Sequence, residues 1–443
     1  MNIQLSDHFT YKKLLRFTAP PIMMMIFTSI YSVVDGIFVS NFVGKTPFAA
    51  LNFIFPFIML FSAVGFMLGT GGSALVAKTM GEGKPERANR LFSLFTYTAI
   101  ASGIVIAIAG ISLLRPVASF LGAEGEMLEY CVAYGRILMA VMPAFMLQTM
   151  FQTFFVTAEK PDLGFKITVG AGITNMVLDW LFIVVFQWGL EGAALATALS
   201  QVAGGVIPLF YFARPNSSCL RLSGTAFDGR ALFLACTNGV SELVSNISMS
   251  LVGLLFNVQL MAYAGENGVA AYGIIMYVDF IFLATFIGYS IGSSPVVSFH
   301  YGARNTDELK NLLRKSVIII GIASVSMFAI AELAARPLSL IFASYDKDLL
   351  AMTINGFRIY AVSFFFVGFA IFGSGFFTAL NNGIVSAIIS FLRTLVFEVA
   401  AVLTLPVIFG LNGIWFAIVL ARGLSILVTL FFIVKKQPEY QYY

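Results

Sequence analysis

Apolar residues in this chain come in runs of more than 20 positions, separated by short polar stretches. A run of about 20 apolar residues crosses a hydrocarbon core as a helix. The runs do not alternate polar and apolar positions, so they suit helices and not the strands of a barrel. Twelve spans are predicted, centred near residues 28, 63, 102, 144, 175, 203, 247, 284, 328, 366, 396 and 423. The longest polar stretch, roughly Arg214 to Arg230, carries Pro215, Asn216, Ser217, Ser218, Ser223 and Gly224 and reads as a linker. The expected domains are therefore 1–213 with spans one to six, a cytoplasmic linker at 214–230, and 231–443 with spans seven to twelve.

The second half repeats the first at an offset of 221 residues. Gly81 matches Gly302, and Arg115-Pro116 matches Arg336-Pro337. Gly135 matches Gly356, and Gly189-Leu190-Glu191-Gly192 matches Gly410-Leu411-Asn412-Gly413. Four matches at one register indicate a duplicated unit. Six spans per repeat is an even number, so both repeats enter the membrane from one side, related by a pseudo-two-fold axis along its normal. The fold class expected is an all-α membrane protein of two pseudo-symmetric six-helix lobes.

Composition agrees. Hydrophobic residues make up 59% and charged residues 11% of the chain, against about 25% charged in soluble domains. With the N-terminus inside, inside segments hold eighteen Lys and Arg, whereas outside segments hold four: Lys45, Arg115, Arg336 and Lys347. The positive-inside rule then puts both termini in the cytoplasm of a multi-pass protein of the cytoplasmic membrane. The net charge of +4 follows from this topology and does not point to nucleic acid. Cys131, Cys219 and Cys236 are far apart and the two histidines form no HExxH, so no metal site is expected. Gly44-Lys45-Thr46 resembles the end of a Walker loop, but Val39 stands where that motif needs glycine, and no nucleotide site is expected.

Acidic residues within the spans are few: Asp35, Asp179, Glu242, Asp279, Glu332 and Glu398. An ionisable group at membrane depth is costly and is a functional candidate by default. Tyr31 stands four residues before Asp35 and Asn175 four before Asp179, so each pair shares a helix face. Thr197, Gln148 and Gln152 add polar groups to the same half. Two carboxylates sharing a low-dielectric site cannot easily both ionise, which is the property of a proton-coupling site. In the second half Asn238, Glu242 and Asn246 form one polar stripe at four-residue spacing, and Asp279 is the other buried acid of spans seven and eight. Together these make a possible second ion or substrate site. Arg393 and Glu398, five apart, are expected to find structural partners on other helices.

These residues resemble the multidrug and toxic compound extrusion (MATE) family over essentially the whole chain, most closely its prokaryotic members. The resemblance is carried by Val33–Val39, by Asn175–Ile183, by Gly69–Ala77, by Pro295–Gly302 and by Gly410–Gly413. It implies a secondary antiporter that exports hydrophobic, often cationic compounds in exchange for protons or sodium ions, by alternating access and with no cofactor. Tyr31, Asp35, Asn175, Asp179 and Thr197 fall on the family's coupling pattern in the first lobe, Gln148 and Gln152 are candidates for the substrate cavity, and Pro20 falls on its span-one bend. Glu242 matches an acid that some relatives carry in span seven, but span ten here offers no acid to pair with it. A monomer in a lipid bilayer, with small-molecule partners only, is expected. A flippase for a lipid-linked sugar, from the same wider superfamily, is the alternative; two missing spans and few intramembrane bases count against it. No catalytic cluster suits a membrane enzyme, and no filter-like repeat suits a channel.

Overall fold

The computed structural model describes residues 3–343 and 346–443, except for the side chains of Ser40, Lys45, Ile341, Phe342 and Ala343. The expected outer-face charge of Lys45 lies outside the described residues. The first half runs α1 (Tyr11–Phe38), α2 (Lys45–Gly81), α3 (Pro85–Phe120), α4 (Gly125–Ala140), α5 (Met142–Thr157), α6 (Pro161–Asp179) and α7 (Gly189–Ala213). The second runs α8 (Gly229–Gly302), α9 (Thr306–Ala343), α10 (Lys347–Ala361), α11 (Phe364–Ala379), α12 (Gly383–Phe391), α13 (Phe397–Phe409) and α14 (Leu411–Tyr440). Short π-helical turns follow α1, extend α6 over Trp180–Val185 and join α12 to α13 over Leu392–Val396. Such turns absorb an extra residue without breaking the helix, and are frequent at functional sites.

Among the described residues nine helical stretches are long and apolar enough to span a bilayer, and the bent pairs α4–α5 (60°) and α10–α11 (49°) add two more when each is counted as one span. The helix α8 is 74 residues long and departs from helical geometry at Gly265 (φ 62°, ψ −151°), so it is two spans joined at a turn. Counted in this way the described residues hold twelve spans, as the hydropathy pattern predicts. The duplication is visible in the backbone too. Positive φ recurs 221 residues apart at Gly44 and Gly265, at Gly83 and Arg304, and at Gly189 and Gly410. Glycine reaches that region without a Cβ penalty, which explains five of these six positions.

The two lobes touch along the face that carries both termini. Gly81 lies against the Phe299 carbonyl, and Gly302 against the Lys78 carbonyl, so closely that a Cβ on either would overlap the facing backbone. Lys78 and Phe299 are themselves equivalent positions of the repeat. Gly71 lies against Ala235 and Gly239, and its equivalent Gly292 against Thr18, the equivalent of Gly239. Each contact is thus made twice about the pseudo-two-fold axis, as in an isologous interface. Away from this face the contact fades: the buried residues of α1 end at Met24.

Valine at both Gly81 and Gly302 must push the facing helices apart, because interaxial distance follows the side chains at the crossing. Spin labels at Glu82 and Arg304 should report an inter-lobe distance longer by on the order of 2 Å in Gly81→Val/Gly302→Val. An unchanged distance distribution would refute this account of the lobe contact.

A tether precedes α1 and crosses between the lobes on the same face. The Leu5 amide donates to Glu159 Oε1 of the first lobe (2.7 Å). The Phe9 amide donates to Glu308 Oε1 of the second (2.9 Å), and His8 Nδ1 pairs with Glu308 Oε2 (2.6 Å). Asn311 and Lys315 both donate to the Phe9 carbonyl. Leu5 and Phe9 are fully buried. Burial pushes the Glu159 carboxyl above the usual carboxylate range, and the Leu5 amide opposes that shift.

Candidate functional site

In the first lobe α1 packs on α6, and Gly172 permits the close approach. A Cβ there would sit 3.0 Å from the Tyr31 ring and tighter still against Phe27. This brings Asp35 of α1 beside Asp179 at the last turn of α6, so that the two carboxyl groups are close neighbours. Tyr31 is one turn before Asp35 and in its field. Asn175 Nδ2 donates to Thr197 Oγ1 of α7 (3.4 Å), and Thr197 also meets the Tyr134 hydroxyl of α4. The structure therefore gathers Tyr31, Asp35, Asn175, Asp179 and Thr197 into one cluster and adds Tyr134, which the sequence did not single out.

Several acceptors of the cluster are left without a donor. Asp35 Oδ1, Asn175 Oδ1 and both carboxylate oxygens of Asp179 are buried with no hydrogen-bond donor. Asn175 and Asp179 are almost wholly buried. An orphaned buried acceptor costs about 1–3 kcal/mol, more when charged. Four such oxygens converging at membrane depth fit a small cation, either a proton shared by the carboxyls or a metal ion of the sodium type. Gln148 and Gln152 of α5 are buried, each with an unpartnered Oε1, as is Gln201 of α7. Gln148 packs against Gly204 of α7.

The second lobe carries a different balance. Arg422 of α14 grips Asp279 of α8 with two parallel bonds, Nη1 to Oδ1 and Nη2 to Oδ2, both 3.0 Å. The same guanidinium donates to Ser363 Oγ (2.8 Å) and to the Tyr360 hydroxyl (2.9 Å), and it stacks on the Tyr360 and Phe364 rings. Planar, bidentate recognition of this kind suits arginine and not lysine. Each oxygen of Asp279 thus accepts one bond from the arginine, so this acid is engaged in an ion pair, unlike those of the first lobe. Arg393, in the π-helical turn after α12, has Glu242 and Glu398 as charged neighbours and a buried Nη1 without a partner. These helices thus set three carboxylates against two guanidiniums, where the first-lobe cluster has two carboxylates and no base.

The polar stripe expected on span seven is used differently by the fold. Asn238 donates to the Thr378 carbonyl (2.9 Å), and Asn246 to the Glu242 backbone carbonyl (2.8 Å). Both amide nitrogens serve backbone carbonyls, while Asn238 Oδ1 is left buried without a partner beside the Glu242 position of the stripe. Among the described residues no group of three His, Cys, Asp or Glu side chains is placed to hold a transition metal.

Twelve spans in two pseudo-symmetric halves, with paired acids buried in one of them, define a membrane transporter. The sequence model of the MatE family matches residues 20–181 and 243–403, two stretches close to one repeat apart. The chain belongs to this family and is a MATE family transporter. It is 21% identical to the multidrug export protein MepA of Staphylococcus haemolyticus, over 96% of this chain and 93% of that one. It is also 21% identical to MepA of Staphylococcus aureus strain MSSA476, over 95% and 92%. Its fold matches a structure described as the outward-facing conformation of a multidrug resistance MATE family transporter of the MOP superfamily. That match has a TM-score of 0.93 at 23% identity and covers 99% of this chain and 98% of the other.

Proposed function

We propose that this protein exports hydrophobic, often cationic small molecules from the cytoplasm in exchange for protons or sodium ions. The observation that carries the reading is the Asp35–Asp179 pair, whose buried oxygens lack donors and are best satisfied by an arriving cation. The names of the staphylococcal relatives, multidrug export proteins, agree with it. Coupling falls to Tyr31, Asp35, Asn175, Asp179 and Thr197. Gln148 and Gln152 offer unpartnered oxygens to a cationic substrate. Glu242 offers a second acidic contact.

Exchange proceeds by alternating access of two bodies, residues 1–213 and 231–443, about the linker 214–230. The lobes meet on the terminus-bearing face, and in the orientation set by loop charge that closes the cytoplasmic side. Pro20 serves as the hinge of span one. Here α1 continues through Pro20-Pro21 as one helix. Neither proline has an amide hydrogen, so the carbonyls of Arg16 and Phe17 lose their helical donors and bending there is cheap. The intramembrane guanidiniums do not favour the flippase, since both lie among acids and leave no cationic cavity.

Purified protein in liposomes should export a cationic dye under an imposed pH gradient or an imposed sodium gradient. Failure under both would remove the antiport reading. The orientation has its own check. A cysteine in place of Lys347 should react with an impermeant thiol reagent added outside cells, and one in place of Lys310 should not. The reverse pattern would invert the topology.

A further inference from the structure

The terminus-bearing face departs from two-fold symmetry where the first span of each lobe begins. The segment before α1 and the segment before α8 are equivalent positions of the repeat, and each packs on the third span of the opposite lobe. The first buries Leu5 and Phe9 and is held by Glu308 at the start of α9. The second runs along α3, with Ser223 N on Ser93 Oγ (2.8 Å) and Thr225 Oγ1 on the Arg90 carbonyl (2.9 Å). It buries Leu220 farther back against α3, but the equivalents of Leu5 and Phe9 are Ala226 and Arg230, and the nearby Phe227 is 83% exposed. A cleft of about 1250 Å³ lies between this segment and the start of α3, and a smaller one of about 320 Å³ adjoins it.

The charge is reversed as well. The position equivalent to Glu308 is Arg87, which faces both clefts. Arg90 lines the larger cleft and Arg230 the smaller; of the acids there, Asp228 caps the Ala231 amide and Glu82 is paired with Lys84, while Glu86 lies on the rim of the larger cleft. Lys84 is paired with Glu82 (2.9 Å) and Lys78 lies over the Tyr301 ring. Arg87, Arg90 and Arg230 have no ion-pair partner among the described residues. Beside them Phe227, Phe233 and Leu234 are exposed where α8 enters the membrane. Unpaired guanidiniums next to exposed aromatic and aliphatic side chains at a membrane face match a phosphate carrying acyl chains.

We propose that these two adjoining clefts together bind the headgroup of an anionic phospholipid, with Arg87 and Arg90 at the phosphate, Arg230 adding its charge from the smaller cleft, and Phe227 against the glycerol and upper acyl chains. Where the chain's own tether fills one side of the face, a lipid fills the other and pins the inter-lobe linker to α3. The proposal does not depend on what the protein transports.

The test uses the full-length protein in detergent, titrated with phosphatidylglycerol, with phosphatidylcholine and with inorganic phosphate, following bound lipid by native mass spectrometry and thermal stability. Phosphatidylglycerol should bind selectively and raise the unfolding temperature. Each arginine at an anionic surface contributes a factor of about five, so Arg87→Gln/Arg90→Gln/Arg230→Gln should weaken that binding roughly hundredfold. Phe227→Ala should weaken it without altering the charge. The control Lys310→Gln/Arg314→Gln, two exposed bases of the other half, should leave it intact. Selective binding that survives the triple substitution would overturn the proposal, as would equal binding of phosphatidylcholine. Stabilisation by inorganic phosphate alone would overturn it in favour of a free-anion site.

Discussion

Asp35→Asn is expected to abolish gradient-driven export while leaving the protein folded and inserted. Asparagine keeps the shape of the side chain and removes its charge, so the cluster loses the group that makes cation entry favourable. For one-for-one exchange of a proton against a monovalent cation, each pH unit is worth about 1.4 kcal/mol and sustains a roughly tenfold substrate gradient. The variant should reach no gradient beyond that of protein-free liposomes. Asp179→Asn should fall in the same direction by less, because Asp35 still offers a carboxylate beside Tyr31. The measurement is substrate accumulation in liposomes at a fixed pH difference, with size-exclusion profiles as the control for folding. Undiminished accumulation by Asp35→Asn would take this residue out of the mechanism.

The second large effect lies in the other lobe and concerns stability. Arg422→Met leaves the Asp279 carboxylate buried without its guanidinium, along with Ser363 and the Tyr360 hydroxyl. Breaking a buried pair from one side costs about 3–5 kcal/mol, because the surviving charge is uncompensated. The double variant Arg422→Met/Asp279→Leu removes both charges and should recover much of the loss, since an apolar pair of similar volume is often close to neutral. Thermal unfolding of the two variants in detergent reads this directly. A double variant as unstable as the single one would mean that the arginine acts through Tyr360 and Ser363 and not through the aspartate.

The spans and the duplication were legible because membrane helices announce themselves by length and apolarity, and because glycines at turns recur in register. Asp35 and Asp179 stood out for a similar reason, as acids within apolar runs with a polar residue one turn before each. Arg422 did not stand out. A single arginine in a span is indistinguishable in sequence from one that reaches the interface, and its partner is 143 residues away on another helix. Tyr134 was hidden among many aromatic residues; only the packing of α4 on α7 brings it to Thr197. Four-residue spacing puts Asn238, Glu242 and Asn246 on one helix face, but periodicity does not tell whether an amide serves a ligand or a neighbouring carbonyl. The tether has no signature in the sequence, since Leu5 and Phe9 are isolated apolar residues in a polar flank. Its mark is structural: Glu308 is an acid that becomes buried and has to find donors.

The doubled glycine contact has a consequence for how such a molecule can be divided. Gly81 rests on the second-lobe residue whose first-lobe equivalent receives Gly302, so each half presents a surface complementary to its own copy. The glycine contact is therefore one that two copies of a single half could make with each other. What a covalent link between halves permits is divergence: two identical subunits must share every substitution, whereas fused halves can assign unpaired acids to one body and guanidiniums to the other.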